Sequence, residues 1–292
     1  MTLAAALAIA AARGLERLDA QLLLLHALGR PQSDRAWLLA HDSDQLSDAA
    51  RAAFLDLCER RAGAEPLAYI VGRKEFFGLE LIVDRRVLVP RPETETLVEW
   101  ALDALDCHCG LDPQSTTWIP GQARDDKPLA IDLGTGSGAI ALAVKRARPQ
   151  TVVEAVDFSP DALEVALANA RRLGLDVKFR QASWLTGSCE RYALIVGNPP
   201  YVAEADPHLA ALHHEPVSAL AAGPDGLRDI RSIVAQAPAH LLPGGWLLLE
   251  HGWNQAEAVR GLLAAAGLRQ VSTRCDLAGI ERCTGGTWSD LG

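Results

Sequence analysis

The chain has 292 residues, of which 49% are hydrophobic and 22% are charged, and its formal net charge at pH 7 is −9. This length allows two domains, and the composition is typical of a globular protein with a buried core. The acidic balance argues against a protein whose main task is to bind nucleic-acid phosphate, and it fits a protein or small-molecule substrate better.

The cysteines and the apolar runs argue against a metalloprotein or a membrane protein. Cys107-His108-Cys109 lacks a second ligand pair at zinc-finger spacing, so we predict no metal site and reduced thiols. No apolar run reaches the ~18 residues that would suggest a membrane span. The alanine-rich segment 1–12 lacks the positive start of a signal peptide. We therefore expect a cytoplasmic protein.

Residues 1–73 are predicted to form a small all-helical domain. The predicted helices cover 3–12, 20–28, 35–41 and 48–62. Asp19, Asp34 and Ser47 are predicted to begin the last three of these helices. Leucines on these segments would fill a small core. The bundle carries no obvious chemistry of its own, so it either receives a substrate or covers one face of the second domain.

A hairpin and a helix connect this bundle to the rest of the chain. Residues 74–92 are predicted to form a β-hairpin linker that turns at Gly78. A helix over 93–105 follows, and its acidic first turn suits the positive end of the helix dipole. We interpret Glu95 as part of this helix cap, and the turn at 90–92 as a candidate wall of the substrate entrance.

Residues 106–127 interrupt the pattern. They show no helical or strand period and are rich in turn residues. We interpret them as a surface insertion within the second domain, 93–292, without a site of its own, despite Trp118 and the Cys-His-Cys run.

From residue 129 onward, strands and helices alternate, which predicts an α/β domain with a doubly wound, mostly parallel sheet. The seven predicted strands cover 129–133, 152–156, 177–181, 193–196, 246–250, 269–274 and 282–284. The predicted helices cover 139–146, 161–173, 227–242 and 255–266.

A glycine-rich turn follows the strand at 129–133. The turn consists of Gly134, Thr135, Gly136, Ser137 and Gly138. Glycines let the backbone approach a ligand, and the following helix supplies free N–H groups, so this unit predicts nucleotide binding. The G-x-G-x-G spacing differs from that of a dinucleotide site. Asp132 is expected to order the turn through hydrogen bonds without touching the ligand.

Two further strand ends carry side chains that suit a nucleoside. Asp157 ends the second strand of the sheet, where a carboxylate can accept hydrogen bonds from both ribose hydroxyls. Trp184 follows the third strand and is either a stacking surface for adenine or an ordinary core aromatic; its position favours the first. Ligands of open α/β sheets bind at the carboxyl ends of the strands, so we predict one site there.

The strand at 193–196 ends in Asn198-Pro199-Pro200-Tyr201. Two prolines fix φ and remove two N–H donors, which leaves a rigid turn. This turn presents the Asn198 side-chain oxygen and the Pro199 carbonyl as acceptors, with Tyr201 as a flat face beside them. They suit a planar NH2 group, such as a carboxamide or an amine on a base. The alternative is a strand followed by a capped proline turn.

Asp132-Leu133-Gly134-Thr135-Gly136-Ser137-Gly138 together with Asn198-Pro199-Pro200-Tyr201 resembles the S-adenosylmethionine-dependent methyltransferases that act on planar nitrogens. Segments 65–72, 88–95, 215–216, 225–227 and 248–252 make the chain similar, over nearly its whole length, to a narrower family. These are the protein-(glutamine-N5) methyltransferases of the HemK/PrmC type, which modify peptide chain release factors.

The resemblance implies a seven-stranded class I methyltransferase sheet, S-adenosylmethionine as cofactor and S-adenosylhomocysteine as product. It also implies methylation of the glutamine in the Gly-Gly-Gln motif of release factors, which supports translation termination. Cofactor binding then falls to residues 134–138, Asp157, Trp184 and Asn198. Substrate binding falls to residues 198–201, and catalysis to Asn198, Pro199 and Tyr201. No general base is nominated, and we interpret His213, His214, His251 and Glu250 as structural or solvated.

The helical domain would then help to receive the release factor, and we expect a monomer that contacts neither nucleic acid nor membrane. Three alternatives remain. An amino methyltransferase acting on adenine or guanine would need a basic recognition segment, which the sequence lacks. A glutamine methyltransferase of a ribosomal protein shares the Asn-Pro-Pro-aromatic motif. A non-enzymatic adapter would not need the intact glycine turn, Asp157 and Asn198.

Overall fold

The computed structural model describes residues 1–108 and 129–289. The chain divides into two compact units, Met1–Arg73 and Lys74–Gly292. Of the predicted insertion, residues 106–108 end a helix, and the remainder lies outside the described residues. Among the described residues, no helix combines the length and the apolar character needed to cross a membrane.

The first unit is all-helical. Its helices are α1 (Leu3–Ala12), α2 (Arg17–Ala27), α3 (Arg35–Ala40), α4 (Asp48–Ala62) and α5 (Leu67–Val71). Leu23, Leu24 and Phe54 lie fully buried in its core. Ser47 caps α4 as predicted, because its hydroxyl accepts a hydrogen bond from the Ala50 backbone N–H at 3.2 Å.

One predicted cap of this unit is wrong, and another stands at its predicted position without a side-chain cap hydrogen bond. Helix α2 begins at Arg17, before Asp19, and the Asp19 carboxylate instead accepts a hydrogen bond from Arg61 Nε of α4 at 2.6 Å. Asp34 precedes α3 but makes no side-chain cap, because its carboxylate accepts from Arg30 at 2.9 Å. In both cases an arginine offers a charged donor that the backbone N–H groups do not match.

The second unit opens with the predicted hairpin. Strands β1 (Arg73–Phe76) and β2 (Leu79–Ile82) pair as a two-stranded sheet. A 3-10 helix at Pro92–Thr94 then leads into α6 (Glu95–His108), so the single predicted helix is in fact two elements. Glu95 is not a helix cap: its Oε1 accepts a hydrogen bond from the Phe77 backbone N–H at 3.0 Å and ties α6 to the hairpin turn.

The large sheet has seven strands, as predicted. They are β3 (Leu129–Leu133), β4 (Val152–Asp157), β5 (Lys178–Gln181), β6 (Tyr192–Gly197), β7 (Leu241–Glu250), β8 (Arg269–Cys275) and β9 (Glu281–Thr287). Their order is β5-β4-β3-β6-β7-β9-β8. The first five strands in this order pair in parallel, and β9 pairs antiparallel with both β7 and β8. The strand order reverses between β3 and β6, which is where open α/β sheets bind ligands.

Besides α6, four further helices of the described residues accompany this sheet. They are α7 (Ala139–Ala147), α8 (Pro160–Leu173), α9 (Arg228–His240) and α10 (Ala256–Ala265). Every residue of β6 is buried, which explains its continuous apolar sequence. Strand β7 begins at Leu241, where the sequence predicted that the helix would continue. Its Gly245 lacks the Cβ that would approach the Tyr192 carbonyl oxygen of β6 to 2.8 Å, so the backbones can pair there.

Candidate functional site

A cavity of about 310 Å³ opens at the carboxyl ends of β3, β4 and β6. The predicted site residues that line it are Gly134, Gly136, Asp157, Trp184, Asn198 and Pro200. The other predicted residues, Thr135, Ser137, Gly138, Pro199 and Tyr201, are not among its lining residues. The predicted nucleoside features and the Asn-Pro-Pro turn therefore share one cavity.

Strand register brings these separate segments together. Leu133 of β3 pairs with Val156 of β4 on one side and with Gly197 of β6 on the other. The residues that follow, Gly134, Asp157 and Asn198, therefore lie side by side at the same edge of the sheet. A side chain at Gly197 would place Cβ 2.8 Å from the Leu133 carbonyl oxygen, so only glycine allows this close approach.

The glycine turn presents its backbone to the cavity. Gly134 and Gly136 have φ of 72° and 54°, in the left-handed region that favours glycine. A Cβ at Gly136 would meet nothing within 4 Å, so the backbone there faces open space. A Cβ at Gly134 would approach the Trp184 ring to 3.3 Å. The turn thus keeps room for a ligand to lie against its main chain.

Asp132 orders this turn from below, as the sequence predicts. It is buried, and its Oδ2 accepts hydrogen bonds from the Thr135 hydroxyl at 2.6 Å and the Ala141 backbone N–H at 3.1 Å. Its Oδ1 has no hydrogen-bond partner among the described residues. Burial raises the pKa of this carboxyl to about 7, against the opposing effect of the two hydrogen bonds. Asp132 does not line the cavity.

We expect the free energy of unfolding of the Asp132→Asn variant to increase, relative to that of the wild type, as the pH rises. A carboxyl whose pKa is raised on folding stabilises the protein below its unfolded pKa, and this contribution is lost as the pH rises through the folded pKa of about 7. Urea unfolding of both forms at about pH 5 and about pH 8 measures the difference. An identical free-energy difference at both pH values would contradict the raised pKa.

Asp157 lies at the cavity wall with both oxygens held by backbone donors. Its Oδ2 accepts from the Gly136 N–H at 2.8 Å, and its Oδ1 accepts from the Ser159 N–H at 2.9 Å. Each oxygen keeps a further lone pair for a ligand hydroxyl. Burial raises the pKa of this carboxyl, and the backbone hydrogen bonds oppose that rise.

Two aromatic side chains border the same space. Trp184 has a φ of 53°, is half-buried, and both lines the cavity and packs against the main core. The sequence offered two interpretations of Trp184, a stacking surface for a ligand or a core aromatic. The position of the ring is compatible with both. Phe158 also lines the cavity and is 75% exposed. Phe158 is not among the predicted site residues, although its place directly after Asp157 was a usable signal.

The Asn-Pro-Pro turn is anchored from behind. The Asn198 Nδ2 donates a hydrogen bond to the Thr94 hydroxyl at 3.2 Å, which brings the segment after Pro90-Arg91-Pro92 to this turn. The Tyr201 hydroxyl donates to Glu250 Oε1 at 3.3 Å. Glu250 is 1% exposed, and burial raises its pKa to about 7. The Tyr201 hydroxyl is therefore directed at a buried carboxyl.

An ion pair with a buried carboxylate joins two segments whose role the sequence left open. Arg91 donates a hydrogen bond to Glu215 Oε1, and the Val89 backbone N–H donates to Glu215 Oε2 at 3.1 Å. The Glu215 side chain is only 2% exposed. This carboxylate fixes the loop after the Asn-Pro-Pro turn to the segment that precedes α6. The following Pro216 also lines the cavity.

The structure places the three histidines His213, His214 and His251 outside the lining of the cavity. His251 is buried, its Nδ1 donates to the Gly252 carbonyl at 2.9 Å, and its Nε2 accepts from the Thr284 hydroxyl at 2.7 Å. Burial lowers its pKa, which favours this neutral form. The rings of His213 and His214 pack together with centroids 4.1 Å apart.

Gly226 lies against the backbone of Tyr201 at the end of the Asn-Pro-Pro turn. We therefore expect the Gly226→Ala variant to unfold at a markedly lower temperature than the wild type. Gly226 has a φ of 73°, and a Cβ there would stand 2.2 Å from the Tyr201 carbonyl oxygen. The matched control is Gly174→Ala, because Gly174 has a φ of 66° with nothing within 4 Å of its Cβ. Backbone strain alone costs about 1–3 kcal/mol, so the excess loss of Tm in Gly226→Ala measures the clash. Equal losses of Tm in the two variants would contradict the clash at Gly226.

Comparison with known proteins gives consistent matches. The family described as "PrmC N-terminal domain" matches residues 3–72, and the family described as "Methyltransferase small domain" matches residues 102–223. Proteins named "Release factor glutamine methyltransferase" from Bordetella pertussis and Xylella fastidiosa (strain Temecula1) are each 48% identical to this chain. The first match covers 94% of this chain and 95% of the relative, and the second covers 96% of each.

A solved structure is similar to this chain in fold. The catalytic domain of hMettl16 in complex with a hairpin of the MAT2A 3′UTR superposes with a TM-score of 0.56 at 16% sequence identity. This match covers 87% of the present chain and 85% of the solved one. At that identity the likeness shows a shared fold and says nothing of the substrate.

Proposed function

The chain belongs to the release factor glutamine methyltransferase family, and we propose that it methylates the side-chain amide nitrogen, N5, of the glutamine in the Gly-Gly-Gln motif of peptide chain release factors. The observation that carries the mechanism is the shared cavity, which sets the Asn198 turn beside Gly134 and Asp157. One site can then hold a methyl donor and a planar amide together.

The residues of the cavity fit S-adenosylmethionine as the donor. Asp157 offers two backbone-supported oxygens to a ribose diol, and Gly136 offers main chain without a side chain in the way. Trp184 and Phe158 offer ring surfaces to an adenine. When bound, the cofactor supplies an electrophilic methyl group on a sulfonium.

Because the methyl donor carries a positive charge, the side chains that line the cavity must not repel it. The two arginines at the cavity, Arg86 and Arg228, are both paired with carboxylates: Arg86 with Asp84 at 2.7 Å, and Arg228 with Asp229 at 3.1 Å. Their charges are therefore largely balanced before a cation enters.

The proposed chemistry rests on two acceptors in the Asn-Pro-Pro turn. An amide nitrogen is a weak nucleophile because its lone pair is delocalised into the carbonyl. As this nitrogen forms its bond to the methyl carbon and the sulfur–carbon bond breaks, its N–H protons become more acidic. Hydrogen bonds to Asn198 Oδ1 and the Pro199 carbonyl then strengthen, which stabilises the transition state more than the ground state. The surplus proton leaves to water.

These acceptors also position the substrate. They direct the nitrogen lone pair toward the methyl group, and such orientation lowers the entropic part of the barrier. We propose that Tyr201 packs beside the amide at the edge of the cavity, outside its lining residues, and its hydroxyl is directed to Glu250. In this mechanism no side chain removes a proton before the methyl transfer.

We further propose that the unit Met1–Arg73 contributes to recognition of the release factor, and that the enzyme acts as a cytoplasmic monomer. The family match to residues 3–72, described as "PrmC N-terminal domain", supports a specific role for this unit. Truncation to Lys74–Gly292 is expected to raise KM for the release factor while cofactor binding is retained. Steady-state kinetics and calorimetry separate the two effects.

The proposed function is tested by mass spectrometry of unmethylated release factor after incubation with this protein and S-adenosylmethionine. The expected result is the mass of one methyl group on the glutamine of the Gly-Gly-Gln peptide. A release factor with that glutamine replaced by alanine is the control. Methylation of ribosomal protein or nucleic acid in a parallel assay, with none on the release factor, would overturn the proposal.

A further inference from the structure

One stretch of the chain, residues 82–94, contacts both halves of the proposed site. It begins at the last residue of β2 and ends with the 3-10 helix Pro92–Thr94. Between these ends, Arg86, Val87 and Leu88 line the cavity. We call residues 82–94 the bridging segment, because hydrogen bonds hold it at the glycine turn, at the Asn-Pro-Pro turn and at a point between them.

The first end of the bridging segment is tied to the glycine turn through Asn169 of α8. Asn169 is fully buried, its Oδ1 accepts a hydrogen bond from the Ile82 backbone N–H at 2.7 Å, and its Nδ2 donates to the Ile82 carbonyl at 3.0 Å. The same Nδ2 group donates to the Ser137 carbonyl of the glycine turn at 2.9 Å. One amide therefore uses its acceptor and both of its donors to hold the segment against this turn.

The last end of the bridging segment is tied to the Asn-Pro-Pro turn. The buried Thr94 hydroxyl accepts a hydrogen bond from Asn198 Nδ2 at 3.2 Å. Pro90 and Pro92 lie shortly before Thr94, and their rings fix φ at two of the intervening positions. Because this stretch of backbone is stiff, the place of Val89 largely determines where Thr94 meets the turn.

Between the two ends, Glu215 holds the bridging segment to a second stretch of the cavity wall. Glu215 Oε2 accepts a hydrogen bond from the Val89 backbone N–H at 3.1 Å, and its Oε1 accepts from the Arg91 guanidinium. The Glu215 side chain is 2% exposed, so both contacts are shielded from water. Glu215 immediately precedes Pro216, which with Ser218 lines the cavity. The carboxylate thus joins two parts of the wall.

We propose that the bridging segment sets the separation and orientation of the two half-sites, the glycine turn and the Asn-Pro-Pro turn, and that Glu215 and Arg91 are the positioning residues that hold it in place. Methyl transfer needs the amide nitrogen, the methyl carbon and the sulfur in line, and a small misplacement lowers the rate without removing either binding site. Neither Glu215 nor Arg91 lines the cavity, so their effect passes through the segment. The inference rests on the proposed amide methylation and adds to it the residues that align its two reactants.

The first test is the double variant Arg91→Met with Glu215→Gln, which removes both charges and leaves neither one buried alone. We expect kcat to fall by roughly 10- to 10²-fold, while calorimetry gives affinities for S-adenosylmethionine and for release factor near the wild-type values. Arg91→Lys keeps the positive charge and should retain more of kcat. The control Arg274→Met with Asp103→Asn removes an ion pair outside the cavity lining and should keep the wild-type kcat.

A wild-type kcat in the double variant, while the wild type methylates release factor, would overturn the inference and leave the proposed function intact. Weakened release-factor binding with an unchanged kcat would also overturn it, because Glu215 and Arg91 would then serve docking and not alignment.

The second test does not depend on methylation. Hydrogen exchange of the ligand-free proteins, followed by mass spectrometry, should be faster in peptides of the bridging segment in the double variant and, to a smaller degree, in Arg91→Lys. Peptides of β6 should exchange as slowly as in the wild type. Exchange of the bridging segment that is unchanged in both variants would overturn the inference even if the proposed substrate proved wrong. If thermal melting shows that the double variant does not fold, Arg91→Lys serves for both tests.

Discussion

Asn198→Ala is expected to lower kcat for glutamine methylation by about 10²–10³-fold, with much less effect on release-factor binding. The side chain lines the cavity, and its Nδ2 is already engaged by the Thr94 hydroxyl at 3.2 Å. The end that remains is an acceptor, and its hydrogen bond strengthens only as the substrate amide becomes acidic. An interaction made mainly in the transition state affects kcat rather than KM.

Asn198→Asp is the sharper companion variant. It keeps the shape and the acceptor, but it loses the Nδ2 donor to Thr94 and adds a negative charge that can bind the sulfonium in the ground state. Partial activity is expected, with tighter cofactor binding than in the wild type. Single-turnover rates and release-factor binding should be measured for all three forms. An alanine variant that reacts at the wild-type rate but binds release factor weakly would make Asn198 a docking residue and end the proposed mechanism.

Asp157→Ala is expected to weaken S-adenosylmethionine binding by about 10²-fold or more, because a hydrogen bond to a charged group contributes ~1.5–3 kcal/mol. Both carboxylate oxygens already accept one backbone N–H each, so the side chain is held in place before the ligand arrives. Little ordering is then needed on binding, which favours affinity. Titration calorimetry of the free enzyme measures this loss directly.

Two further variants separate ligand contact from damage to the turn. Asp157→Asn keeps an oxygen and the side-chain shape, so it should bind more tightly than Asp157→Ala. Asp161→Ala removes a nearby exposed carboxylate in the first turn of α8 and should leave affinity unchanged. Burial raises the pKa of Asp157, so wild-type affinity should weaken as the pH falls through that pKa. Unchanged affinity in Asp157→Ala would remove Asp157 from the cofactor site.

Much of this protein follows from local sequence alone. The bounds of β3 are those predicted from its apolar run, and β6 ends at Gly197, just before Asn198 and the double proline, because strand formation and termination depend on neighbouring residues. The glycine turn was recognisable for the same reason, since positive φ at Gly134 and Gly136 is a local property. The number of strands and their alternation with helices also followed from local patterns, and these predicted the fold class.

Polar partners were decided only by the tertiary structure. Glu95 looked like a helix cap but accepts from the Phe77 N–H, and Asp19 pairs with Arg61 of another helix. A carboxylate near a helix start has several donors within reach. The donor that the carboxylate accepts from is the one that the folded chain brings closest to it and buries with it. The hydrophobic periodicity of the sequence carries no information about that distance.

The residues of the site also divide into those that local sequence predicts and those that only the tertiary structure reveals. The sequence by itself supplied Gly136, Asp157 and Asn198, because each stands at the end of a predicted strand and strand ends of a parallel sheet share one edge. It could not supply Thr94 behind Asn198 or Glu250 behind Tyr201, since these hydrogen bonds join residues far apart in the chain. The pairing of β6 with β7 brings Tyr201 to Glu250, so a shift in their register would separate the two. The packing of the 3-10 helix and α6 against the sheet brings Thr94 to Asn198.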